Sequence, residues 1–179
     1  MPDLTGKTIA IIAGDFVEEA ELTTPRDQLR EAGATVRVHG PSSFPIQTVE
    51  GDTTPKQKID VDGTYADVDV AAVDAVIVPG GTVNADRLRG DETAQNIVRS
   101  VLDADKPLAV ICHGPWVLVS AGLADGRRLT SFESLADDLR NAGATWVDEE
   151  VVVDGNLITS RNPGDLPAFV DAIGAALTR

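Results

Sequence analysis

One stretch of the sequence could do chemistry on its own account. Leu108-Ala109-Val110-Ile111-Cys112-His113-Gly114-Pro115 sets the only cysteine beside an imidazole, where an apolar run gives way to a helix-forming segment. A cysteine at such a strand-to-helix turn occupies the place of a nucleophile elbow, although the Gly-x-Ser-x-Gly spelling of hydrolases is absent. The turn exposes the sulfur and sets it near the positive end of a helix dipole, which lowers a thiol pKa. The competing role is an inert cysteine closing a core strand, and the adjoining His and Gly weigh against it. His113 could instead cap the helix, since neighbours at a turn need not face each other. His39, at the end of an earlier strand, reads as a solvated strand-end residue. No His follows His113, which excludes an amidotransferase-type triad with its His downstream.

Two further clusters could serve that thiol. Gly80-Gly81 ends another apolar run, and its backbone can approach a ligand closely. The N–H groups there, with that of His113, could bind a developing oxyanion. Glu18, Glu19 and Glu21 crowd a strand-to-helix junction, where acids commonly do no more than complement the helix dipole. One cysteine cannot form an internal disulfide, and with two His it makes a poor start for a zinc cluster.

The elements that must position these residues alternate between strand and helix. Thr8–Ala13, Thr35–Val38, Ala75–Pro79 and Leu108–Ile111 are apolar runs of strand length, as expected in a parallel sheet covered on both faces. Helices are expected over Glu21–Ala32, Thr93–Leu102, Trp116–Ala121, Leu135–Ala142 and Pro167–Leu177, with Gly33 and Gly122 as stops. Val151–Val153 and Leu157–Thr159, joined by Asp154-Gly155-Asn156, read as a hairpin. From Gly40 to about Thr64 the chain is rich in Pro, Gly, Ser and Thr, with Lys58–Val61 alternating like an edge strand, so an excursion of hairpin type is expected there. This order implies a doubly wound α/β sandwich. Ligands bind in such folds beyond the carboxyl ends of the strands, where Gly14-Asp15, Gly80-Gly81 and Cys112-His113 all fall.

Composition narrows the function classes. A chain of 179 residues, 42% hydrophobic, is long enough to bury a full core in one domain. Its 29 acids against 15 bases give a net charge of -14, which repels phosphate backbones and anionic headgroups and argues against nucleic-acid and membrane partners. The N-terminus shows no basic region followed by an apolar one, and no apolar stretch nears the ~18 residues of a membrane span. A reduced, cytoplasmic setting is the expectation.

Taken together, Ala109–Pro115 and Pro79-Gly80-Gly81 resemble the ThiJ/PfpI superfamily, in its PfpI-type intracellular protease branch. Glu18-Glu19-Ala20-Glu21-Leu22, Asp86-Arg87-Leu88-Arg89, Asn141–Ala144, Glu150–Asp154 and Thr159–Phe169 carry the resemblance in order, from about Lys7 to Leu177. It implies a flavodoxin-like α/β sandwich, a mostly parallel sheet in a single domain over residues 1–179, assembled as homo-oligomers of two or more copies. It implies Cys112 as nucleophile, His113 as its proton carrier, and Glu18 as the acid touching the sulfur. Asp86, contributed by a neighbouring subunit, would orient the imidazole. Gly81 and the His113 N–H would form the oxyanion hole, and Gly80 and Trp116 the pocket wall, with Trp116 making it more apolar where relatives often carry Gln. No metal and no cofactor are implied. The leading function is a peptidase-type cysteine hydrolase acting on carbonyl or peptide substrates. The alternatives are a glyoxalase III-like or deglycase enzyme for 2-oxoaldehydes and their adducts, and a non-enzymatic oxidative-stress sensor or chaperone.

Overall fold

The computed structural model describes residues 1–179. In chain order the elements are β1 (Thr8–Ile12), β2 (Val17–Glu18), α1 (Glu19–Glu31), β3 (Thr35–Gly40), β4 (Ile46–Glu50), β5 (Thr54–Ile59), β6 (Gly63–Thr64), β7 (Ala75–Val78), α2 (Thr82–Gly90), α3 (Glu92–Asp103), β8 (Leu108–Ile111), α4 (Trp116–Ala121), β9 (Arg128–Leu129), α5 (Ala136–Asn141), β10 (Thr145–Trp146), β11 (Val151–Asp154), β12 (Leu157–Ser160) and α6 (Leu166–Ala176). Seven strands form the central sheet in the order β11-β12-β8-β7-β1-β3-β6. Only the β11–β12 hairpin is antiparallel. This is the doubly wound α/β arrangement that the alternation of apolar runs predicts, in the flavodoxin-like form that the resemblance implies.

Strand residues divide between the two faces by the period-2 rule. Ile9 and Ile11 pack with Leu22 and Leu29 of α1 and with Phe169 and Ile173 of α6. Ala10 and Ile12 point the other way, onto Val98 and Val101 of α3 and Val117 and Leu118 of α4. Each face buries 23 residues, so the sheet is covered evenly and its central strands need no polar side.

Three differences from the sequence expectation matter for the site. The Gly40–Thr64 excursion is a hairpin, as expected, but its strands are β4 and β5. The second of these begins at Thr54 rather than Lys58, and the pair joins β2 in a small separate sheet. Helix α1 starts at Glu19, which changes which acid of the cluster faces inward. Helix α2 follows Gly81 directly, in a stretch where the sequence reading places no helix. Its interior side holds only Asn84, Ala85 and Leu88, too sparse an apolar pattern to announce a helix.

Because β8, β7 and β1 are adjacent, their carboxyl ends meet at one edge. Asn84 ties the ends of β1 and β7 together. Its amide donates to the carbonyls of Pro79 and Gly80 at 3.0 and 2.9 Å, and its oxygen accepts the Gly14 N–H at 2.6 Å.

Candidate active site

Cys112 sits at the elbow with φ of 62°, a left-handed conformation unusual for a residue with a side chain. Neighbouring backbone fixes it there. The Cys112 N–H donates to the Ser160 carbonyl at 3.0 Å, and the Cys112 carbonyl accepts the Phe132 N–H at 2.9 Å. Local strain held by surrounding structure in this way clusters at functional sites. The sulfur faces a cavity of about 410 Å³ bordered by Glu18, Glu21, Asp52, Gly81, His113 and Phe132, among others.

His113 turns back onto its neighbour, with Nδ1 3.2 Å from the Cys112 Sγ. Aromatic rings hold the imidazole in place. It stacks on Phe132 with centroids 4.7 Å apart and meets the Trp116 ring edge-on at 5.6 Å. Burial lowers the His113 pKa below its ordinary value, with the charge of Asp52 opposing the shift. A neutral ring with its proton on Nε2 leaves Nδ1 free to accept the thiol hydrogen.

The acid beside the sulfur is Glu21, not Glu18. Glu21 is fully buried and its Oε2 accepts the Gly80 N–H at 2.7 Å, while Oε1 has no conventional hydrogen-bond partner. Burial pushes this carboxyl up to about 8. The thiol lies against it and is pushed up in turn, first by burial and then by the Glu21 charge. The N–H groups of Gly81 and His113 favour the thiolate but do not offset these effects. The depressed thiol pKa expected from the elbow is therefore not found: α4 has only six residues, and a helix that short has a weak dipole to offer a buried sulfur. Glu18 is turned into the mouth of the cavity, where its carboxylate accepts the N–H groups of Gly51 and Asp52 at 3.2 and 3.4 Å. The physical reason lies in helix phase. Glu18 precedes α1, whereas Glu21 shares the buried side with Leu22, Pro25 and Leu29. The eight-residue spacing from Glu21 to Leu29 was the signal for this.

The remaining expected residues divide. Gly81 borders the cavity with φ of 85° at the start of α2, in position to offer its N–H beside that of His113. Gly80 does not line the cavity, because its open side is filled by Glu21 and Cys112; a Cβ there would fall 2.6 Å from Glu21 Oε2 and 2.7 Å from Cys112 Cβ. Trp116 is not a wall of the cavity either. It backs His113, and its indole N–H donates to Asp138 at 2.8 Å while Arg89 stacks over the ring. Asp86 is exposed on α2 and lies outside its own chain's cavity. Asp52, Asn84 and Phe132 were not singled out by the sequence. Asp52 falls in the poorly patterned excursion, and the other two carry no motif of their own.

Residues 7–176 match the DJ-1/PfpI family. The chain belongs to that family. It is 40% identical over 164 residues to Deglycase PfpI of Pyrococcus furiosus, covering 92% of this chain and 95% of that protein. Protein/nucleic acid deglycase 2 of Escherichia coli is 39% identical over 91% of this chain and 93% of its own. YraA of Bacillus subtilis, whose name assigns it provisionally as a cysteine protease, is 37% identical over 91% of this chain and 94% of its own. Among solved structures, Drosophila melanogaster DJ-1beta superposes with a TM-score of 0.86 at 31% identity, covering 97% of this chain and 91% of that one. The DJ-1/ThiJ/PfpI-like part of a two-domain protein from Anabaena variabilis gives 0.90 at 36% identity, over 96% of this chain; the chain spans about half of that protein, 48%. Family membership and the intact elbow make the chain an enzyme, in which either a hydrolase or a glyoxalase-type reaction can be housed.

Proposed function

We propose that the enzyme uses Cys112 to process small 2-oxoaldehydes, or the adducts they form with amines and thiols, as a glyoxalase- or deglycase-type catalyst. The observation that carries this reading is the arrangement on the cavity floor. The Cys112 sulfur lies 3.2 Å from His113 Nδ1 and beside the fully buried Glu21, whose Oε2 holds the Gly80 N–H at 2.7 Å while Oε1 has no partner. That burial raises this carboxyl to about 8. Moving a proton between two adjacent carbons is helped by a group that can give and take it near neutrality, and a buried carboxyl raised in this way is such a group. A cavity of about 410 Å³ suits a small molecule. That relatives carry the name deglycase supports the same choice.

The steps balance with these residues and water. The sulfur adds to the aldehyde carbon while the thiol proton passes to Nδ1 of His113. The alkoxide that forms is met by the N–H groups of Gly81 and His113 and takes that proton back from the imidazolium, giving a neutral hemithioacetal and a neutral His113. Neutral His113 then takes the proton of the former aldehyde carbon while protonated Glu21 gives its own to the neighbouring carbonyl oxygen, forming an enediol. The imidazolium returns its proton to that neighbouring carbon as the Glu21 carboxylate takes up the hydroxyl proton beside the sulfur, which leaves the thioester of a 2-hydroxy acid and restores both groups. One carbon is oxidised as the other is reduced, so no outside oxidant is needed. Water cleaves the thioester and restores the thiol. With an amine adduct, breaking the carbon–nitrogen bond releases the amine as well.

The 3.2 Å contact between Cys112 and His113 favours a second reading, peptide hydrolysis, in which His113 protonates the leaving amine and Asp86 of a neighbouring copy orients the ring. The test assays purified wild type and Cys112→Ala against methylglyoxal, with lactate as product, and against an internally quenched peptide. Lactate formation that disappears in Cys112→Ala is the expected result. Cys112-dependent peptide cleavage without lactate overturns the carbonyl reading in favour of the peptidase, and turnover of neither overturns both.

A further inference from the structure

The mouth of the Cys112 cavity is electrostatically one-sided. Its lining includes Glu18, Glu21, Glu50 and Asp52, and none of its 11 residues is Lys or Arg. Asp52 is the most firmly placed of the outer acids. It sits in the turn between β4 and β5 with φ of 65°, a conformation Asp tolerates better than most residues. Both of its carboxylate oxygens are anchored to the first residue of α2: the Thr82 N–H donates at 2.6 Å and the Thr82 hydroxyl at 2.9 Å. Its own N–H donates to Glu18 at 3.4 Å. An acid tied down at three points above a reactive thiol differs from a solvated surface charge, because it cannot swing away when a like-charged ligand approaches. Glu21, another residue of the lining, is fully buried, and its Oε1 has no conventional partner. The charge of Asp52 is felt at both His113 and Glu21, raising the pKa of each. Glu50 adds to the rim, although Lys56 at 3.1 Å offsets part of its charge.

We propose that Asp52 is a specificity-determining residue that, with Glu18 and Glu50, makes the mouth an electrostatic sieve, admitting neutral and cationic carbonyl compounds to Cys112 and rejecting anionic ones. The substrate class rests on the carbonyl reading above, but the sieve itself does not, since it acts on any reagent that must reach the sulfur. Oxoaldehydes bearing a phosphate or a carboxylate would be excluded. An adduct on a positively charged amino compound would be favoured.

The test uses the lone thiol as its own reporter. Iodoacetamide and iodoacetate are nearly the same size and differ by one negative charge, and both meet the same fraction of thiolate, so the ratio of their rates is independent of the Cys112 pKa. We expect the amide to be favoured over the acid by roughly three- to tenfold more than it is with a neutral model thiol, the range for one or two partly screened charges a few ångström away. Asp52→Asn should remove most of that excess, and 0.5 M NaCl should compress the ratio in the wild type. A wild-type ratio equal to that of the model thiol, or an unchanged ratio in a folded Asp52→Asn, overturns the proposal. Should Asp52→Asn not fold, Glu50→Gln on the rim and the salt series on wild type decide it in the same way. A turnover arm compares 4-methylphenylglyoxal with 4-carboxyphenylglyoxal: the sieve predicts a lower kcat/KM for the acid, with the gap narrowing in Asp52→Asn through KM. Lactate formation from methylglyoxal decides the carbonyl reading, while the alkylation ratio decides the sieve whether or not an aryl glyoxal is turned over.

Discussion

Glu21 is buried because α1 brings it round to the same side as Leu22 and Leu29, and its pKa follows from that placement. A carboxyl whose pKa is about 8 in the folded chain and 4.5 in the unfolded one keeps its proton in the native state over a range where the unfolded chain has lost it. Stability therefore falls as pH rises from about 4.5 to about 8, by on the order of a few kcal/mol. Glu21→Gln keeps an acceptor for the Gly80 N–H and stays neutral at every pH, so its melting temperature should lack this decline. Thermal denaturation of both proteins from pH 5 to pH 8.5 checks this, and parallel curves would show that Glu21 is charged throughout. Glu21→Gln should also lower turnover by at least about 100-fold, the scale of a lost acid–base group. At this scale the sequence was only partly legible. Cys112 and His113 could be read because their types and position at a strand end are specific. The choice between Glu18 and Glu21 depended on where α1 begins, and a shift of three residues moves a side chain from the cavity mouth to its floor.

At the level of elements, the site is a junction of three strand ends, two of them joined through Asn84 of α2 and the third fixed by the backbone of Ser160 and Phe132. The four core strands and the five expected helices were visible because apolar spacing records burial directly. Helix α2 was not, since only three of its residues face inward and one of these is the polar Asn84. The β4–β5 hairpin was legible only in outline, because few of its side chains are buried and β5 buries Ile59 alone. Close packing at the β7–α2 turn makes a sharp prediction. A methyl group on Gly80 would be forced against Glu21 and Cys112, so Gly80→Ala should cost about 1–3 kcal/mol and lower turnover by more than tenfold. Gly90 closes α2 with open space around its Cβ position, so Gly90→Ala should leave the melting temperature unchanged or slightly raised. Equal losses in the two variants would mean that the turn tolerates repacking and that the glycine is not needed to bring sulfur and carboxyl together.

The whole molecule raises the question of what Asp86 does. It is exposed on α2, so within one chain nothing draws it to the imidazole it is expected to orient. Three residues earlier, Val83 is also exposed on the same helix, at 39%. Residues three apart lie on one helix face, so an apolar and an acidic side chain are presented together. A second copy covering that face would supply the missing acid to the site of its neighbour, which is how the family resemblance places it. The consequence can be tested with two damaged proteins. Cys112→Ala lacks the nucleophile but keeps Asp86, while Asp86→Ala keeps the nucleophile but lacks the acid. If sites are shared across a two-fold interface, a mixed dimer holds one complete site and one that lacks both groups. Random exchange of equal amounts then makes half the dimers mixed, and the mixture should recover about a quarter of wild-type activity. Sedimentation should show a mass of at least two chains of 18.8 kDa under the same conditions. A mixture no more active than the average of its parents would place Asp86 outside the reaction and leave Cys112, His113 and Glu21 of a single chain as the complete machinery.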